Sequence, residues 1–335
     1  MEIRRPHYYD SFRCIAQDCP DSCCHEWSVQ VDESAAAFYR SLPGALGDRL
    51  RQVLADEDGE TIMRIENSRC PMWRSDGLCR IQAELGHDAL CKTCREFPRL
   101  THDYGDFVEL GLELSCPEAA RLILSAENAP LLRQSTPGGE GNYDPLDMQI
   151  LLETREEALS LLTDSRFSVP EALALLLIYG YDAQARLDGA DAFSFDPCAA
   201  LKSARELAKP SDPSALPAFF LSLEILTERW RVRLQSPASA PWREEFRAMA
   251  RYLVQRYWLQ AISDFDLVSR VKFCVTACLL VHILGGDVVE TAQLFSKEIE
   301  NDADNIDAIL DGAYTVPAMT DENLLGLLLE NTNEK

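Results

Sequence analysis

Nine of the twelve cysteines in this chain lie between residues 14 and 116 and could bind a metal. Thiolates are soft ligands that suit zinc and iron–sulfur clusters, and short spacings help several sulfurs converge on one metal. Such a density is too high to explain as small buried hydrophobic side chains. The candidate metal ligands are therefore Cys14, Cys19, Cys23, Cys24, Cys70, Cys79, Cys91, Cys94 and Cys116.

The spacing of these cysteines does not match two common metal motifs. Only Cys91 and Cys94 form a C-x2-C pair, whereas a zinc ribbon needs two such pairs. Cys19 and Cys23 have the C-x3-C spacing that begins the C-x3-C-x2-C cluster motif of radical enzymes, but Glu26 occupies the position of its third cysteine. The cysteines could form one four-cysteine site with spare thiols, or two four-ligand sites. In either case the metal could be an iron–sulfur cluster or zinc.

The remaining sulfur and imidazole groups are interpreted as structural. Cys274 and Cys278 are four residues apart in an apolar segment with no other thiol nearby in sequence, and Cys198 is isolated. His25 lies beside the Cys23–Cys24 pair, but sulfur ligands are already in surplus there. We therefore assign none of these four side chains to the metal.

The composition is that of an acidic globular protein, with 47% hydrophobic residues and a formal net charge of −23. Both halves of the chain are acidic, and binding to nucleic acid needs clustered Lys and Arg. We therefore expect no nucleic-acid partner. A basic side chain on a protein partner fits the negative field better.

The N-terminal segment MEIRRPHYYDSF lacks the apolar core of a signal peptide. The longest apolar run, residues 271–286, contains Lys272 and His282 and is shorter than a membrane span. We expect a cytoplasmic protein without a membrane partner. In that reducing compartment, clustered cysteines bind metals or act in catalysis more often than they form disulfides.

These residues must be positioned by a mainly α fold with two predicted domains. Residues 1–126 are predicted to form a Cys-rich metal-binding domain with short strands, and residues 127–335 an all-helical domain. The expected strands are 26–32, 61–65 and 107–115, and two helices follow residues 32 and 43. Residues 128–145 have the Pro and Gly content of a linker. Helical periodicity predicts helices at 146–162, 169–187, 217–234, 242–262 and 266–284, with two more between 287 and 331.

Three segments of the first domain resemble the flagellin lysine-N-methylase family, which is related to the CxxCxxCC zinc- or iron-chelating domain family. The segments are YYDSFRCIAQDCPDSCCHEWSVQVD, CPMWRSDGLCRIQAELGHDALCKTCREFPR and LELSCPEAARLIL. A weaker resemblance covers residues 250–284. By position, eight of the nine cysteines match the chelating motif, and Cys116 matches the SCPEA element of the methylases.

The resemblance implies a protein-lysine N-methyltransferase that uses S-adenosylmethionine to methylate lysine side chains of flagellin or another protein acceptor. It also implies a Cys-ligated iron–sulfur cluster, of the 4Fe–4S type, with zinc as the alternative metal. Arg95, Pro98 and Arg99 match the CRxFPR element. On this interpretation Arg95 and Arg99 bind a carboxylate of the cofactor or balance thiolate charge.

The resemblance assigns no catalytic residue, and the candidates in the first domain are Tyr8, Tyr9, Asp10, Trp27 and Asp32. The chain has no Gly-rich strand–loop–helix of the Rossmann methyltransferases, since PGGEGN lies in the linker. Any S-adenosylmethionine site must be built differently. Two other functions remain open. One is a non-enzymatic zinc- or iron-binding module whose helices bind a partner, and the other is a cluster-dependent redox protein.

Overall fold

The structure, a computed structural model, describes residues 1–57, 59–136, 138–191 and 194–329. In this part of the chain it has seven short strands and 15 α-helices, most of which follow residue 116. The prediction of a mainly α fold with short strands near the N-terminus is confirmed.

The strands form two small sheets. Their bounds are β1 Glu2–Arg5, β2 Val29–Gln30, β3 Leu54–Glu57, β4 Glu60–Met63, β5 Arg99–Asp103, β6 Phe107–Leu112 and β7 Leu132–Ser135. The first sheet has the order β5–β6–β1–β7, in which only the β1–β6 pair is parallel. The second sheet is antiparallel, with the order β2–β4–β3.

The helices run from the cysteine-rich segment to the end of the described chain. Those before residue 125 are α1 Glu33–Ser41, α2 Gly44–Val53, α3 Arg80–Leu85, α4 Lys92–Glu96 and α5 Pro117–Leu124. The later ones are α6 Pro145–Thr163, α7 Val169–Leu187, α8 Pro197–Leu207, α9 Ala215–Phe220, α10 Glu228–Gln235, α11 Glu244–Tyr257, α12 Leu267–Leu284, α13 Val288–Ile299, α14 Ala303–Thr315 and α15 Asp321–Leu329.

Hydrophobic packing divides the described residues into two cores. The smaller core is formed by side chains between Val29 and Cys91, and it includes Tyr39, Leu50 and Met72. We call residues 13–98 the cysteine lobe. The larger core joins the first sheet to the helices from α5 onward, because Phe12, Phe107 and Leu112 pack with the helical side chains. The predicted domain boundary at residue 126 stays a prediction, but the packing groups residues 99–136 with the helices.

The first sheet is connected to the helices by a buried ion pair. Arg155 of α6 donates two hydrogen bonds, of 2.7 and 2.6 Å, to the carboxylate of Glu109 in β6. The Arg155 side chain is 2% exposed. A bidentate pair of this kind fixes both the distance and the orientation of the two elements.

Helix α12 is the central helix of the larger core. It is long and apolar enough to cross a membrane, but 94% of that stretch is buried inside the protein. Such burial is typical of a core helix. Cys274 and Cys278 lie on this helix and are buried, as expected for structural cysteines.

Three predicted elements differ from the structure. The expected linker contains β7, which pairs antiparallel with β1 and so completes the first sheet. The helix expected at 217–234 is divided into α9 and α10 by residues 221–227. Three α-helices, not two, lie between residues 287 and 329.

The break between α9 and α10 has a tertiary cause. The backbone N–H of Glu224 donates to Asn305 at 3.0 Å, and that of Leu226 donates to Glu298 at 2.8 Å. Thr227 then caps α10 by accepting a hydrogen bond from the N–H of Trp230. Because distant side chains satisfy these backbone donors, the segment can leave the helical conformation although its residues favour it.

Candidate functional site

Four cysteines from two segments form the first thiol cluster. Cys14, Cys19 and Cys23 belong to the loop before β2, and Cys116 lies at the N-cap of α5. The Cys14 thiol interacts with those of Cys19, Cys23 and Cys116, and Cys116 also interacts with Cys19. Burial raises the pKa of Cys116 to about 11. The fold thus brings Cys116 to thiols that are far from it in sequence.

The other five cysteines form the second thiol cluster. They are Cys24, Cys70, Cys79, Cys91 and Cys94. The N–H of Cys70 donates to the carbonyl oxygen of Cys24 at 2.7 Å, which joins the two segments. Cys79 precedes α3 and Cys91 precedes α4, so that each helix begins at a cysteine. The clusters adjoin because Cys23 and Cys24 are consecutive and their thiols are hydrogen-bonded.

Hydrogen bonds between thiols shift the pKa values in the second cluster. Interactions of the Cys24 thiol with those of Cys23 and Cys70 lower the pKa of Cys24 and raise the pKa values of Cys23 and Cys70. In the same way, the bond between Cys91 and Cys94 lowers the pKa of Cys91 and raises that of Cys94. The thiolate is the form of cysteine that binds metals. Cys24 and Cys91 are therefore the thiols whose charged form the fold favours.

The donor chemistry of both clusters fits a soft metal, because each contains at least four cysteine sulfurs. However, no group of three or more His, Cys, Asp or Glu side chains within the described ranges has the arrangement of a formed metal site. Metal ligation by the nine cysteines therefore stays a prediction.

A cavity of about 410 Å³ lies between the cysteine lobe and the helices. Cys23 and Cys94, one from each thiol cluster, line it on one side, next to the aromatic rings of Trp27 and Phe97. The opposite side is formed by residues 224–226 and by the end of α13 with the residues after it. Its remaining lining side chains are Ser28, Val29, Gln30, Thr93, Glu224, Leu226, Lys297, Glu298, Asn301 and Asp302. The volume lies within the range of small-molecule and cofactor sites.

Lys297 connects the lobe to α13 beside this cavity. Its ammonium group lies 2.9 Å from Asp21 and 2.7 Å from Glu26, and its side chain is 1% exposed. It also lies 5.0 Å from the ring centroid of Trp27, a cation–π distance. The ring of Trp27, one of the candidate residues in the sequence, is thus paired with a cation of the protein itself.

Asp21 receives further donors from the helices. Gln293 donates to it at 2.9 Å and also to the carbonyl oxygen of Ser115 at 2.7 Å, while Arg229 lies 3.0 Å from Asp21. These donors, with Lys297, lower the pKa of Asp21 against the opposing effect of burial. The loop that carries Cys19 and Cys23 is thereby held against α13.

Sequence analysis missed α13 as a functional element. Gln293, Ser296, Lys297 and Glu298 are all at most 3% exposed, although polar side chains at these positions suggest a solvent-facing helix side. Apolar residues on the other side of α13, such as Phe295 and Ile299, are buried as well. No periodicity distinguishes such a helix from a half-exposed one, because the partners of its polar side chains come from elsewhere in the chain.

Glu298 is the side chain of α13 with the most unusual environment. One carboxylate oxygen accepts a hydrogen bond from the N–H of Leu226 at 2.8 Å. The other oxygen, Oε1, is buried and has no hydrogen-bond partner within the described residues. Burial raises the pKa of Glu298, against the hydrogen bonds from Thr227 and Leu226.

The two predicted cofactor-binding arginines lie outside this cavity. Arg95 lines a separate cavity of about 350 Å³ with Asp32 and Phe38. Arg99 lies 5.2 Å from the ring centroid of Phe12 and interacts with Tyr9. The structure does not bring Arg95 and Arg99 to one pocket, and their role in binding the cofactor stays a prediction.

Cys198 and His25, which were interpreted as structural, have different environments. Cys198 is exposed at the start of α8. His25 packs edge-on against Trp73 at 4.7 Å, and its Nε2 is buried without a partner among the described residues. His25 nevertheless interacts with Cys24 and helps to lower the pKa of that thiol, whereas nothing in these contacts adds Cys198 to the thiol clusters.

Comparison with known proteins identifies relatives of this chain. It is 30% identical over 143 residues to proteins named lysine-N-methylase from Salmonella typhimurium and Salmonella choleraesuis, which is 41% of this chain and 36% of each relative. It is 31% identical over 139 residues to the flagellar biosynthetic protein FliU of Salmonella muenchen, which is 39% of this chain and 82% of that relative. The match thus spans about a third of the two lysine-N-methylases.

No family model and no solved structure matches the chain. The similarity to FliU nevertheless extends over most of that protein, and the resemblance in the cysteine segments points to the same relatives. The chain therefore belongs to the flagellin lysine-N-methylase family.

Proposed function

We propose that this protein transfers methyl groups from S-adenosylmethionine to lysine side chains of flagellin or another flagellar protein. The observation that carries the proposal is the 410 Å³ cavity, in which Cys23 and Cys94 face the same space as Trp27 and Glu298. The chain also belongs to a family with relatives named lysine-N-methylase, which supports methyl transfer to lysine as the reaction of this cavity.

The reaction requires a neutral amine aligned with the sulfonium methyl group. The lysine ammonium group first loses a proton to solvent. The neutral nitrogen then forms a bond to the methyl carbon, and the carbon–sulfur bond breaks with its electron pair left on sulfur. Alignment of two bound groups can supply much of the rate enhancement. On this proposal the cavity provides the alignment, with an apolar surface formed by Trp27, Phe97 and Leu226.

The thiol clusters would hold an iron–sulfur cluster or zinc. The first would use Cys14, Cys19, Cys23 and Cys116, and the second four of Cys24, Cys70, Cys79, Cys91 and Cys94. When bound, iron–sulfur would supply a redox centre and zinc a Lewis acid. In either case, the ligands would also link the segments of the cysteine lobe.

The acidic surroundings of the cavity suit a cationic acceptor. Glu224, Glu298 and Asp302 line it, and the single lining cation among the described residues, Lys297, is already paired with Asp21 and Glu26. A field of this sign attracts basic groups on a protein substrate. Arg95 and Arg99 remain proposed contacts for the cofactor carboxylate.

The test is incubation of anaerobically purified protein with methyl-labelled S-adenosylmethionine and flagellin, followed by mass spectrometry of flagellin peptides. We expect lysines that gain the mass of a methylene group, and the label in the same peptides. Absence of label from every lysine, with the metal content intact, would contradict the proposal. It would favour the metal-binding module that needs no cofactor, which the separate hydrophobic core of the cysteine lobe also allows.

A further inference from the structure

The unpaired oxygen of Glu298 is the feature of the cavity that the protein itself does not explain. Glu298 is 2% exposed and lines the cavity, and its Oε1 has no donor in the described part of the chain. Buried polar atoms are nearly always hydrogen-bonded, and a buried carboxylate is costly without a compensating donor. A hydrogen-bond donor on a ligand in the cavity would supply the partner that this oxygen lacks.

The neighbouring cation is engaged elsewhere. Lys297 is next to Glu298 in sequence, but its ammonium group is bound by Asp21 and Glu26 at 2.9 and 2.7 Å. Consecutive residues of a helix point in different directions, so Lys297 faces the lobe loop. The cavity is therefore lined by a buried carboxylate residue, while the cation beside it is already paired.

The charge of the site selects the class of ligand. Glu224 and Asp302 also line the cavity, and one oxygen of Asp302 is used to cap α14 at the N–H of Asn305. An anionic ligand group would be repelled, and a neutral one would leave the carboxylate uncompensated. A cationic N–H donor satisfies both the missing hydrogen bond and the charge.

The walls of the cavity match the rest of a lysine side chain. Trp27 and Phe97 are 6.2 Å apart between ring centroids in an edge-to-face arrangement, and Leu226 and Val29 complete an apolar surface. A hydrocarbon stem packs on such a surface while its charged end reaches a polar group. The cavity thus combines an apolar surface with a carboxylate residue in its lining.

We propose that Glu298 Oε1 binds the ε-ammonium group of the acceptor lysine and so positions that side chain in the cavity. This inference rests on the proposed function and adds its acceptor subsite. Because one oxygen accepts one N–H, the subsite binds lysine and its mono- and dimethylated forms, whereas trimethyl-lysine has no N–H to donate.

Binding to the anaerobically purified full-length protein tests the subsite. The probe is Nα-acetyl-lysine N-methylamide, with its trimethyl-lysine analogue and S-adenosylhomocysteine measured separately by calorimetry. Glu298→Gln keeps the size of the side chain and an oxygen for Leu226 but removes the charge. We expect the Kd of the lysine probe to rise about 10-fold or more, as for loss of a charge-assisted hydrogen bond. The Kd of S-adenosylhomocysteine should stay within about 2-fold.

Glu290→Gln is the matched control, because Glu290 lies on the same helix but is half exposed and makes only a 3.4 Å contact with Arg233. It should leave both affinities unchanged. Glu298→Asp keeps the charge but moves the carboxylate oxygens back by one methylene group. Its Kd for the lysine probe should therefore lie between those of the unaltered protein and Glu298→Gln, which separates loss of the charge from an effect on folding. Melting curves of all variants should show one cooperative transition.

Four results would overturn the subsite. These are no binding of the lysine probe to the unaltered protein, equal binding by Glu298→Gln, equal binding of the trimethyl analogue, and loss of S-adenosylhomocysteine binding alone. The last would assign Glu298 to the amino group of the cofactor. The outcome is separable from the proposed function. Glu298-dependent lysine binding without methyl transfer would contradict only the function, and methylation by Glu298→Gln with an unchanged KM would contradict only the subsite.

Discussion

Asp21 and Lys297 form a buried ion pair of 2.9 Å between residues 276 positions apart in the chain. Asp21 lies between Cys19 and Cys23, and Lys297 lies beside Glu298 at the cavity. The pair therefore links the loop of the first thiol cluster to the helix that forms the opposite wall. Its geometry decides how the cysteine lobe and α13 face each other.

Replacement of Lys297 by Met should destabilise the protein strongly. The change leaves Asp21 and Glu26 without their common cation, and breaking a buried pair by removing one partner costs about 3–5 kcal/mol. Because Asp21 retains Gln293 and Arg229, we expect a value near the lower end. Urea denaturation followed by circular dichroism measures the free energy of unfolding.

Lys209→Met is the control for this measurement. Its pair with Glu322 is 3.3 Å long and both side chains are exposed, so its loss should change the free energy of unfolding far less than loss of Lys297. Equal effects of the two Lys→Met variants would show that the Asp21–Lys297 contact does not stabilise the fold.

Replacement of Cys91 by Ala should remove bound metal, as proposed for the second thiol cluster. Cys91 is buried, begins α4 and is hydrogen-bonded to Cys94. Metal analysis of anaerobically purified protein gives the metal content, and visible absorption separates iron–sulfur from colourless zinc. The soluble yield should also fall, because metal binding by these cysteines contributes to the free energy of folding.

Cys198→Ala provides the comparison for metal content. Cys198 is exposed and lies outside both thiol clusters, so its removal should leave the metal unchanged. If Cys91→Ala and Cys198→Ala retain the same full metal content, the assignment of Cys91 as a ligand is wrong.

The protein should lose stability in mild acid through His282. This side chain is stacked on Trp242 at 4.0 Å, and burial lowers its pKa to about 4. The unfolded chain takes up a proton near pH 6.5, whereas the folded one does not until about pH 4. Stability from the neutral imidazole is thus present above about pH 6.5 and is lost as the pH falls toward 4.

His282→Phe tests this pH dependence because it keeps an aromatic ring against Trp242 and removes the titration. Denaturation of the unaltered protein and of the variant at pH 7 and pH 5 gives the change in the free energy of unfolding of each between these pH values. The contributions of other titrating groups cancel in the difference between the two changes. We expect the variant to lose about 1 kcal/mol less than the unaltered protein between these pH values, allowing for solvent screening. Parallel losses would exclude His282 as the source.

Replacement of Arg155 by Met should separate the first sheet from α6. Arg4, at 3.9 Å, would then be the remaining ion-pair partner of the buried Glu109 carboxylate among the described residues. The expected cost is about 3–5 kcal/mol of unfolding free energy. The double variant Arg155→Met/Glu109→Leu should recover much of it, because no unpaired charge remains.

Arg121→Met gives the surface reference for Arg155. Arg121 is exposed and pairs with Glu118 one helical turn away, so its loss should cost about 0.5 kcal/mol or less. A double variant no more stable than Arg155→Met would show that the cost lies in packing and not in the unpaired carboxylate.

Local patterns predicted much of the helical architecture. Helices α6, α7, α11 and α12 follow apolar periodicity, and capping residues such as Asp144 and Ser168 mark two of their beginnings. Periodicity failed at residues 221–227, where Asn305 and Glu298 accept the backbone donors of Glu224 and Leu226. It also failed at β7, because a strand of four exposed residues is recognisable only by its pairing with β1.

The sequence by itself determined the density of thiols in the first third of the chain and the resemblance to the flagellin lysine-N-methylase family. Both are properties of residue type and spacing. Only the tertiary structure decided which thiols are neighbours, because Cys116 joins Cys14 and Cys19 through the position of α5. It also decided that Lys297 and Glu298 are buried. Burial of a polar side chain is costly unless other groups form hydrogen bonds or ion pairs with it, and here those groups come from segments far away in the chain.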